Sequence, residues 1–285
     1  MPLRLKNLLG NAQRSISASL GIGAVEASID ARLLLQNVLG VSHAWLIAHS
    51  NNELTDAEAE SFEQLLSRRL NGEPIAYILG VREFYGLPLK TTSSTLIPRS
   101  DTEILVEAAL KKLPINQHVK VLDLGTGTGA VALAIARNRP YSHVTAVDFS
   151  HEALSVAKEN ARNLGLERVR LLQSNWFASL KNQKFDVIAS NPPYIAENDA
   201  HLTQGDLRFE PITALASGHD GLKDIRLIIQ AAPSHLNRNG WLIFEHGYDQ
   251  AEKVHELLTL SGFDQVSHVK DLSGTLRVTL GRMPQ

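Results

Sequence analysis

The sequence predicts an α/β fold: a mostly parallel, doubly wound sheet finished by a terminal antiparallel pair, preceded by a small all-helical domain and a linking β-hairpin. Three observations predict it. Apolar residues up to about residue 77 recur at helical spacing; the middle of the chain alternates short apolar runs with helical stretches; and the last two apolar runs are separated only by a turn.

In the first segment, Leu33, Leu34, Leu35, Val38 and Leu39 form one helical stripe, and Gly40 is placed to stop it. Thr55-Asp56-Ala57-Glu58 has the form of a capping box, in which the Thr hydroxyl and the Glu carboxylate each satisfy a backbone N–H left over at a helix start. The helix it opens is expected to bury Phe62, Leu65, Leu66 and Leu70 and to end at Asn71-Gly72. Residues 1–77 are therefore read as a helical bundle. From Glu83-Phe84-Tyr85-Gly86 to Thr95-Leu96-Ile97-Pro98 the chain holds β-branched residues and turn formers, so 78–100 are read as a hairpin linker and 101–285 as the sheet domain. Parallel strands are expected at Val119–Leu124, Val144–Val147, Val169–Leu172, Phe185–Ala189 and Trp241–Phe244. The antiparallel pair is expected at Phe263–Val269 and Thr275–Leu280, around the turn Asp271-Leu272-Ser273-Gly274.

Composition narrows the chemistry. With 28 Lys+Arg against 30 Asp+Glu the net charge is -2, so no global positive field draws in nucleic acid or an anionic membrane. Residues 1–80 alone carry six basic against eight acidic side chains, a balance that suits a protein partner better than RNA. Zero cysteines exclude disulfides, cysteine-ligated metals and thiol nucleophiles, and no metal site is expected. The start, from Met1-Pro2-Leu3 into Asn11-Ala12-Gln13-Arg14, has no apolar segment of leader length, and no apolar run approaches the ~18 residues of a membrane span. A cytoplasmic protein is expected.

The first strand runs into Asp123-Leu124-Gly125-Thr126-Gly127-Thr128-Gly129-Ala130 and then a helix at Val131 to Arg137. Glycines there let the backbone come close to a ligand. As Gly125-x-Gly127-x-x-Ala130 the loop also fits a dehydrogenase fingerprint, with Asp148 at the end of the second strand gripping a ribose. Asp123 and the third glycine, Gly129, favour S-adenosylmethionine, because a carboxylate can pair directly or through water with the methionine ammonium but is repelled by a pyrophosphate. Trp176, after the third strand, is placed to stack beside an adenine or to fill the core.

The strand Phe185–Ser190 runs into Asn191-Pro192-Pro193-Tyr194. Ligands of open α/β sheets bind at the carboxyl ends of strands, so these four residues are expected to face the cofactor's methyl group. Two prolines fix φ and remove two donors, which leaves carbonyl oxygens presented by a stiff loop. The Asn191 side-chain oxygen and the Pro192 carbonyl can then accept both hydrogens of one NH2 group, while Tyr194 offers a flat wall for a planar amide or base. Asn191, Pro192 and Tyr194 are the expected catalytic residues, and Asn191 to Tyr194 the expected substrate site. Methyl transfer needs no acid for its leaving group, so positioning in a dry site can supply most of the rate. The chemistry leaves adenine, cytosine and glutamine NH2 groups all open as acceptors of the methyl.

These motifs, with Gly72-Glu73-Pro74-Ile75-Ala76-Tyr77-Ile78, Leu96-Ile97-Pro98-Arg99-Ser100-Asp101-Thr102-Glu103, Arg208-Phe209-Glu210-Pro211, Asp220-Gly221-Leu222, Glu245-His246-Gly247 and Asp271-Leu272-Ser273-Gly274 with Arg277, resemble the HemK/PrmC family of protein-(glutamine) methyltransferases. The resemblance covers nearly the whole chain from about Arg68. It implies a Rossmann-like class I S-adenosylmethionine-dependent methyltransferase domain, acting on the glutamine of the Gly-Gly-Gln loop of peptide chain release factors, with the helical domain helping to dock them. It also implies cofactor contacts at Gly125 to Gly129, Asp148, Trp176 and Asn191, beside those expected of Asp123, Thr126 and Thr128. Ser100 stands where the family often has proline, and Asn175 where an aspartate often precedes the aromatic residue.

Other readings remain at this stage. A DNA or RNA amino-methyltransferase would use the same pocket on a flipped base and would show affinity falling steeply with salt. A nicotinamide-dependent oxidoreductase leaves Asn191 to Tyr194 without a task, and a non-catalytic cofactor-binding adaptor is a further reading. His246 reads as a structural histidine after a buried strand, and Arg99 as ion-paired with Asp101 and Glu103 at a helix start.

Overall fold

The computed structural model describes residues 4–285; Met1, Pro2 and Leu3, where the leader reading begins, lie outside the described residues. The chain divides into two compact units. The first takes the chain up to Gly80 together with the short segment Thr203–Phe209.

The first unit holds helices α1 (Leu5–Leu20), α2 (Ala24–Leu39), α3 (His43–Ala48), α4 (Asp56–Leu70) and α5 (Ile75–Leu79). Gly40 ends α2 in the left-handed conformation, with φ 64°. At the start of α4, Thr55 N donates to Glu58 Oε2 at 2.8 Å and Glu58 N to Thr55 Oγ1 at 3.3 Å, so the capping box is formed. Phe62 and Leu66 are buried on α4, whereas Leu65 and Leu70 are only half-buried. The core joins them to Leu5, Ile16, Leu34 and Leu35.

One charge is sealed into this apolar bundle. Arg69 is 4% exposed, and its Nε donates to Asp30 Oδ2 at 2.8 Å. Its Nη1 donates to Asp206 Oδ1 and to the Glu73 carbonyl, both at 3.1 Å. Burial pushes the Asp30 carboxyl up from its ordinary value, against the opposing pull of Arg69. Asp206 lies on the excursion 203–209, so the guanidinium ties that segment into the bundle.

The second unit opens with a hairpin of β1 (Val81–Phe84) and β2 (Leu87–Lys90), turning on Tyr85 and Gly86, which both have positive φ. The pairing stops at Lys90, so residues 91–98, read as part of the hairpin, are not strand. Asn160 fixes the hairpin from outside: its Oδ1 accepts from Lys90 N at 2.7 Å, and its Nδ2 donates to the Lys90 carbonyl at 3.1 Å. Then follow α6 (Glu103–Lys112), β3 (Lys120–Leu124), α7 (Ala130–Asn138), β4 (His143–Asp148), α8 (His151–Asn163), β5 (Arg170–Gln173), β6 (Phe185–Ser190), α9 (Lys223–His235), β7 (Leu236–Glu245), α10 (Ala251–Leu260), β8 (Asp264–Lys270) and β9 (Leu276–Arg282).

Strands β3 to β9 form a seven-stranded sheet in the order β5-β4-β3-β6-β7-β9-β8. The first five strands of that order are mutually parallel, and β9 runs antiparallel to both β7 and β8. The order reverses direction between β3 and β6, the switch point at which such sheets open a crevice. One face packs on α6 and α7 through Leu105, Val106, Leu133 and Ile135, and the other on α9 and α10 through Ile225, Ile228, Val254 and Leu258. Central strands buried on both faces explain the apolar run at Val187–Ala189 and the one at Val121–Leu124, which only the buried Asp123 interrupts.

Replacing Arg69 by Met removes the counter-charge of Asp30 while keeping bulk. The expected loss is ~3 kcal/mol, because a buried carboxylate left unpaired is far costlier than an exposed one. Urea denaturation of the variant measures it, and a loss below about 1 kcal/mol would contradict the sealed-charge account.

Candidate active site

The site lies where β3, β4 and β6 end. Leu124 is level with Ser190 in the sheet, and Ser190 Oγ donates to the Leu124 carbonyl at 2.9 Å, so the two loops that follow start side by side. The first loop is pinned by its own backbone, Gly125 N and Thr126 N each donating to the Val147 carbonyl at 2.9 Å. Gly125 has φ 74°, and a Cβ there would stand 3.5 Å from the Trp176 ring, so the glycine forms a bare floor between the indole and Asn191.

The two acids of the loop take different places. Asp148 lines the cavity and accepts from Gly127 N at 2.8 Å and Ser150 N at 2.9 Å. Each of its oxygens keeps a lone pair for a diol. Burial pushes its carboxyl up, opposed by those backbone donors. Asp123 is 1% exposed and stands behind the loop, its Oδ2 accepting from Thr126 Oγ1 at 2.6 Å and Ala132 N at 3.1 Å. Burial raises its carboxyl to about 7. Asp123 does not itself line the cavity; it holds the loop onto the start of α7. Thr126 and Thr128 are buried as well, and Gly129 packs under α7 against Leu133 and Ala157.

A cavity of about 310 Å³ opens over this floor. Of the expected residues it is lined by Gly125, Gly127, Asp148, Trp176, Asn191 and Pro193. Trp176 sits at φ 48° and donates from Nε1 to Asp224 Oδ1 at 3.2 Å. The second oxygen of Asp224 accepts from Ser217 Oγ at 2.7 Å. Asp224 and Asn175 also line the cavity, so a carboxylate stands in the wall beside the indole even though residue 175 is an amide. Sequence reasoning missed Asp224, because nothing local marks a helix-start aspartate as a wall of a pocket 48 residues away.

The second loop is Asn191 to Tyr194. Asn191 Nδ2 donates to Thr102 Oγ1 at 3.1 Å, which turns Oδ1 away as an acceptor. Pro192 is buried. The far end is clamped by Gln250, whose Nε2 donates to the Tyr194 carbonyl at 2.9 Å while its Oε1 accepts from Gly247 N at 2.9 Å. Tyr194 OH donates to Glu245 Oε1 at 3.3 Å. Burial, and then the Glu245 carboxyl, push the phenol well above its ordinary value.

Glu245 is 2% exposed, and its Oε2 has no hydrogen-bond partner among the described residues. Burial raises its carboxyl to about 7, while the Thr102 and Tyr194 hydroxyls pull it down; Asp101 pushes it up and Arg277 lowers it. His246, fully buried, bonds through Nδ1 to the Gly247 carbonyl at 2.9 Å and through Nε2 to Thr279 Oγ1 at 2.7 Å, a structural pairing. Arg99 is not paired with Asp101 or Glu103: it pairs with Glu210, whose Oε2 also accepts from Ile97 N at 2.9 Å. Asp101 instead meets Arg277 at 3.4 Å, and Glu103 accepts from Tyr85 N at 2.9 Å.

The cavity fits S-adenosylmethionine on these grounds. A bare glycine floor, a carboxylate with spare lone pairs, an indole and an amide stand together in its lining, the kinds of group that a nucleoside carrying a charged tail requires.

Two predictions follow from this packing. A Cβ on Gly221, at φ 73°, would stand 2.2 Å from the Tyr194 carbonyl oxygen and 2.7 Å from Gln250 Nε2. Gly221→Ala is expected to cost ~2 kcal/mol and to displace the clamp, read as a lower Tm together with slower turnover. For Glu245, the folded carboxyl near 7 stands above its ordinary 4.5, so the folded chain keeps a proton that the unfolded chain has released in between. Stability tied to the group is present at low pH and lost as the pH rises towards 7. Glu245→Gln removes that titration, so the Tm of the variant minus that of wild type should grow more positive from about pH 5 to about pH 8, and a flat difference would contradict it.

A family model described as a methyltransferase domain matches residues 115–276, and one described as the PrmC N-terminal domain matches residues 12–80. The release factor glutamine methyltransferase of Escherichia coli strain K12 is 47% identical over 256 residues, which are 90% of this chain and 92% of that protein. The protein of the same description from Vibrio cholerae is 48% identical over 261 residues, 91% of each chain. Among solved structures, a methyltransferase from Pyrococcus furiosus superposes with a TM-score of 0.54 at 21% identity, over 78% of this chain and 100% of its own. A 16S ribosomal RNA methyltransferase of Thermus thermophilus, solved with S-adenosylmethionine and guanosine, superposes with a TM-score of 0.51 at 19% identity, over 71% of this chain and 49% of its own. These two likenesses show the fold, that of class I S-adenosylmethionine-dependent methyltransferases. The closer relatives and the two matched domains show more: the chain belongs to the family of release factor glutamine methyltransferases.

Proposed function

We propose that this protein transfers a methyl group from S-adenosylmethionine to the side-chain amide nitrogen of the glutamine in the Gly-Gly-Gln motif of peptide chain release factors. The observation that carries the reading is the Asn191 amide, which lines the cavity and gives an Nδ2 hydrogen to Thr102, leaving Oδ1 to serve as an acceptor.

When bound, S-adenosylmethionine would supply an electrophilic methyl group on a sulfonium; the N–C bond forms as the S–C bond breaks, a neutral thioether leaves, and the nitrogen then releases one proton to solvent. Asn191 Oδ1 and the Pro192 carbonyl accept the two hydrogens of the incoming NH2, which turns the nitrogen lone pair out of conjugation with its carbonyl. Both acceptors sit in a loop that cannot easily deform, because proline fixes φ at residues 192 and 193 and Gln250 grips the Tyr194 carbonyl. Tyr194 gives the planar amide a face to stack on, and its raised phenol stays neutral. Positioning of this kind removes entropy from the encounter and can supply several powers of ten in rate. Asp148 holds the ribose, and Trp176 flanks the adenine.

The helical unit is the docking module in this reading. Its own surface shows Val25 at 76% and Ile47 at 64% exposure, apolar contacts of the kind a protein partner covers. Nucleic acid is a poor partner for a chain of net charge -2. Among the described residues no helix is long and apolar enough to cross a membrane, in keeping with a cytoplasmic enzyme.

Incubation with labelled S-adenosylmethionine and purified release factor tests the substrate. Label should enter the intact factor and not one whose Gly-Gly-Gln glutamine is changed to Ala; label on both, or on neither, rejects the assignment. Asn191→Ala should lower kcat by about a hundredfold, while calorimetry finds S-adenosylmethionine affinity within about threefold of wild type, since aiming and cofactor binding are separate tasks. Equal turnover by the two proteins would remove Asn191 from its role.

A further inference from the structure

We propose that Glu245 is a positioning residue of this site, the common acceptor that fixes Tyr194 directly and Asn191 through Thr102. The inference rests on the proposed transfer reaction and adds to it a residue behind the substrate pocket.

The geometry is a chain with a defined direction. Asn191 Nδ2 donates to Thr102 Oγ1, so the Thr102 hydroxyl must send its own hydrogen elsewhere. The Glu245 carboxyl stands beside that hydroxyl, which pulls its proton affinity down. Tyr194 OH donates to that same carboxyl. One carboxyl thus stands against two hydroxyls, accepting from Tyr194 and flanking Thr102, and through them sets how the Asn191 amide is turned and where the Tyr194 ring stands. Without it, Thr102 Oγ1 could donate to Asn191 Oδ1, and the amide would present NH2 to a substrate that also brings NH2.

The burial of Glu245 argues that the carboxyl serves the site and not the fold. It sits at the end of a central strand, 2% exposed, with one oxygen unsatisfied. Buried polar atoms left without partners are rare, and an apolar side chain here would stabilise the sheet.

Kinetics and calorimetry on Glu245→Ala, Thr102→Val, the double variant and Glu245→Gln test the inference. Glu245→Ala should lower kcat by about tenfold or more and Thr102→Val by about threefold or more, each with S-adenosylmethionine affinity within about twofold of wild type. The double variant should be no worse than about the slower single one, as expected of residues in one chain of bonds. Glu245→Gln, which keeps an acceptor oxygen, should recover most of what Glu245→Ala loses. A Glu245→Ala kcat within about twofold of wild type, multiplicative losses in the double variant, or cofactor affinity falling in step with kcat would each overturn it. Should wild type leave release factor unlabelled, the substrate reading fails by itself, and crystal structures of the two single variants decide the present point. Asn191 turned off Thr102 or Tyr194 displaced supports the role of Glu245; both side chains in their wild-type places refute it.

Discussion

Parallel register across β3, β6 and β7 is the constraint on which the rest of the site depends. Leu124, Ser190 and Phe244 stand level in the sheet, so Gly125, Asn191 and Glu245 are the next residue on each of three neighbouring strands. With about 4.8 Å between strands, the three span roughly 10 Å, the scale of one small ligand and the group it reacts with. A slip of one residue would turn each side chain to the opposite face of the sheet. The buried residues on both faces make such a slip expensive, and the Ser190 hydroxyl on the Leu124 carbonyl adds a local lock.

Around that edge, stiffness comes from three different sources. The glycine loop is held by two amides on one carbonyl and by Asp123 from behind. The Asn191 loop is held by its prolines and, at its far end, by Gln250. Trp176, in a left-handed backbone that an indole residue seldom adopts, is held by Asp224 and by Ser174, whose hydroxyl donates to the Trp176 carbonyl at 2.7 Å. Each support is itself a satisfied hydrogen-bonding group drawn from a separate element, so the cleft walls are fixed with respect to one another before anything binds.

Much of this was legible in the sequence, for a physical reason. Parallel strands buried on both faces read as nearly unbroken apolar runs, and every strand of the large sheet lies within a few residues of its expected place. The capping box at Thr55 and the stop at Gly40 are local chemistry and appear as written. What the sequence could not display were partnerships made by the fold at long range. Arg99 finds Glu210, 111 residues away, in preference to the acids beside it. Arg69 finds Asp206, 137 residues away in sequence, within the first unit. Thr102 and Asp224 sit at helix starts, where hydroxyl and carboxylate residues are so common that neither stands out. The acid in the glycine loop was legible as a type but not in its direction: whether Asp123 faced a ligand or the loop's own amides depended on the turn that Thr126 takes.

The distribution of cost over the molecule is the last step. Beside the ion pair sealed in the helical bundle, several unfavourable features stand together at the carboxyl edge of the sheet: a left-handed tryptophan, two carboxyls raised to about 7, and a buried oxygen without a partner. Each such feature costs on the order of 1–3 kcal/mol. They are tolerated because the central strands bury their neighbours on both faces, where a single fully buried leucine or phenylalanine contributes roughly 1.5–3 kcal/mol. The same burial that stabilises the strands desolvates Glu245, and a desolvated carboxyl binds its hydroxyl partners more firmly than an exposed one would. Stability and positioning are therefore drawn from one source, the depth at which the strand ends are buried.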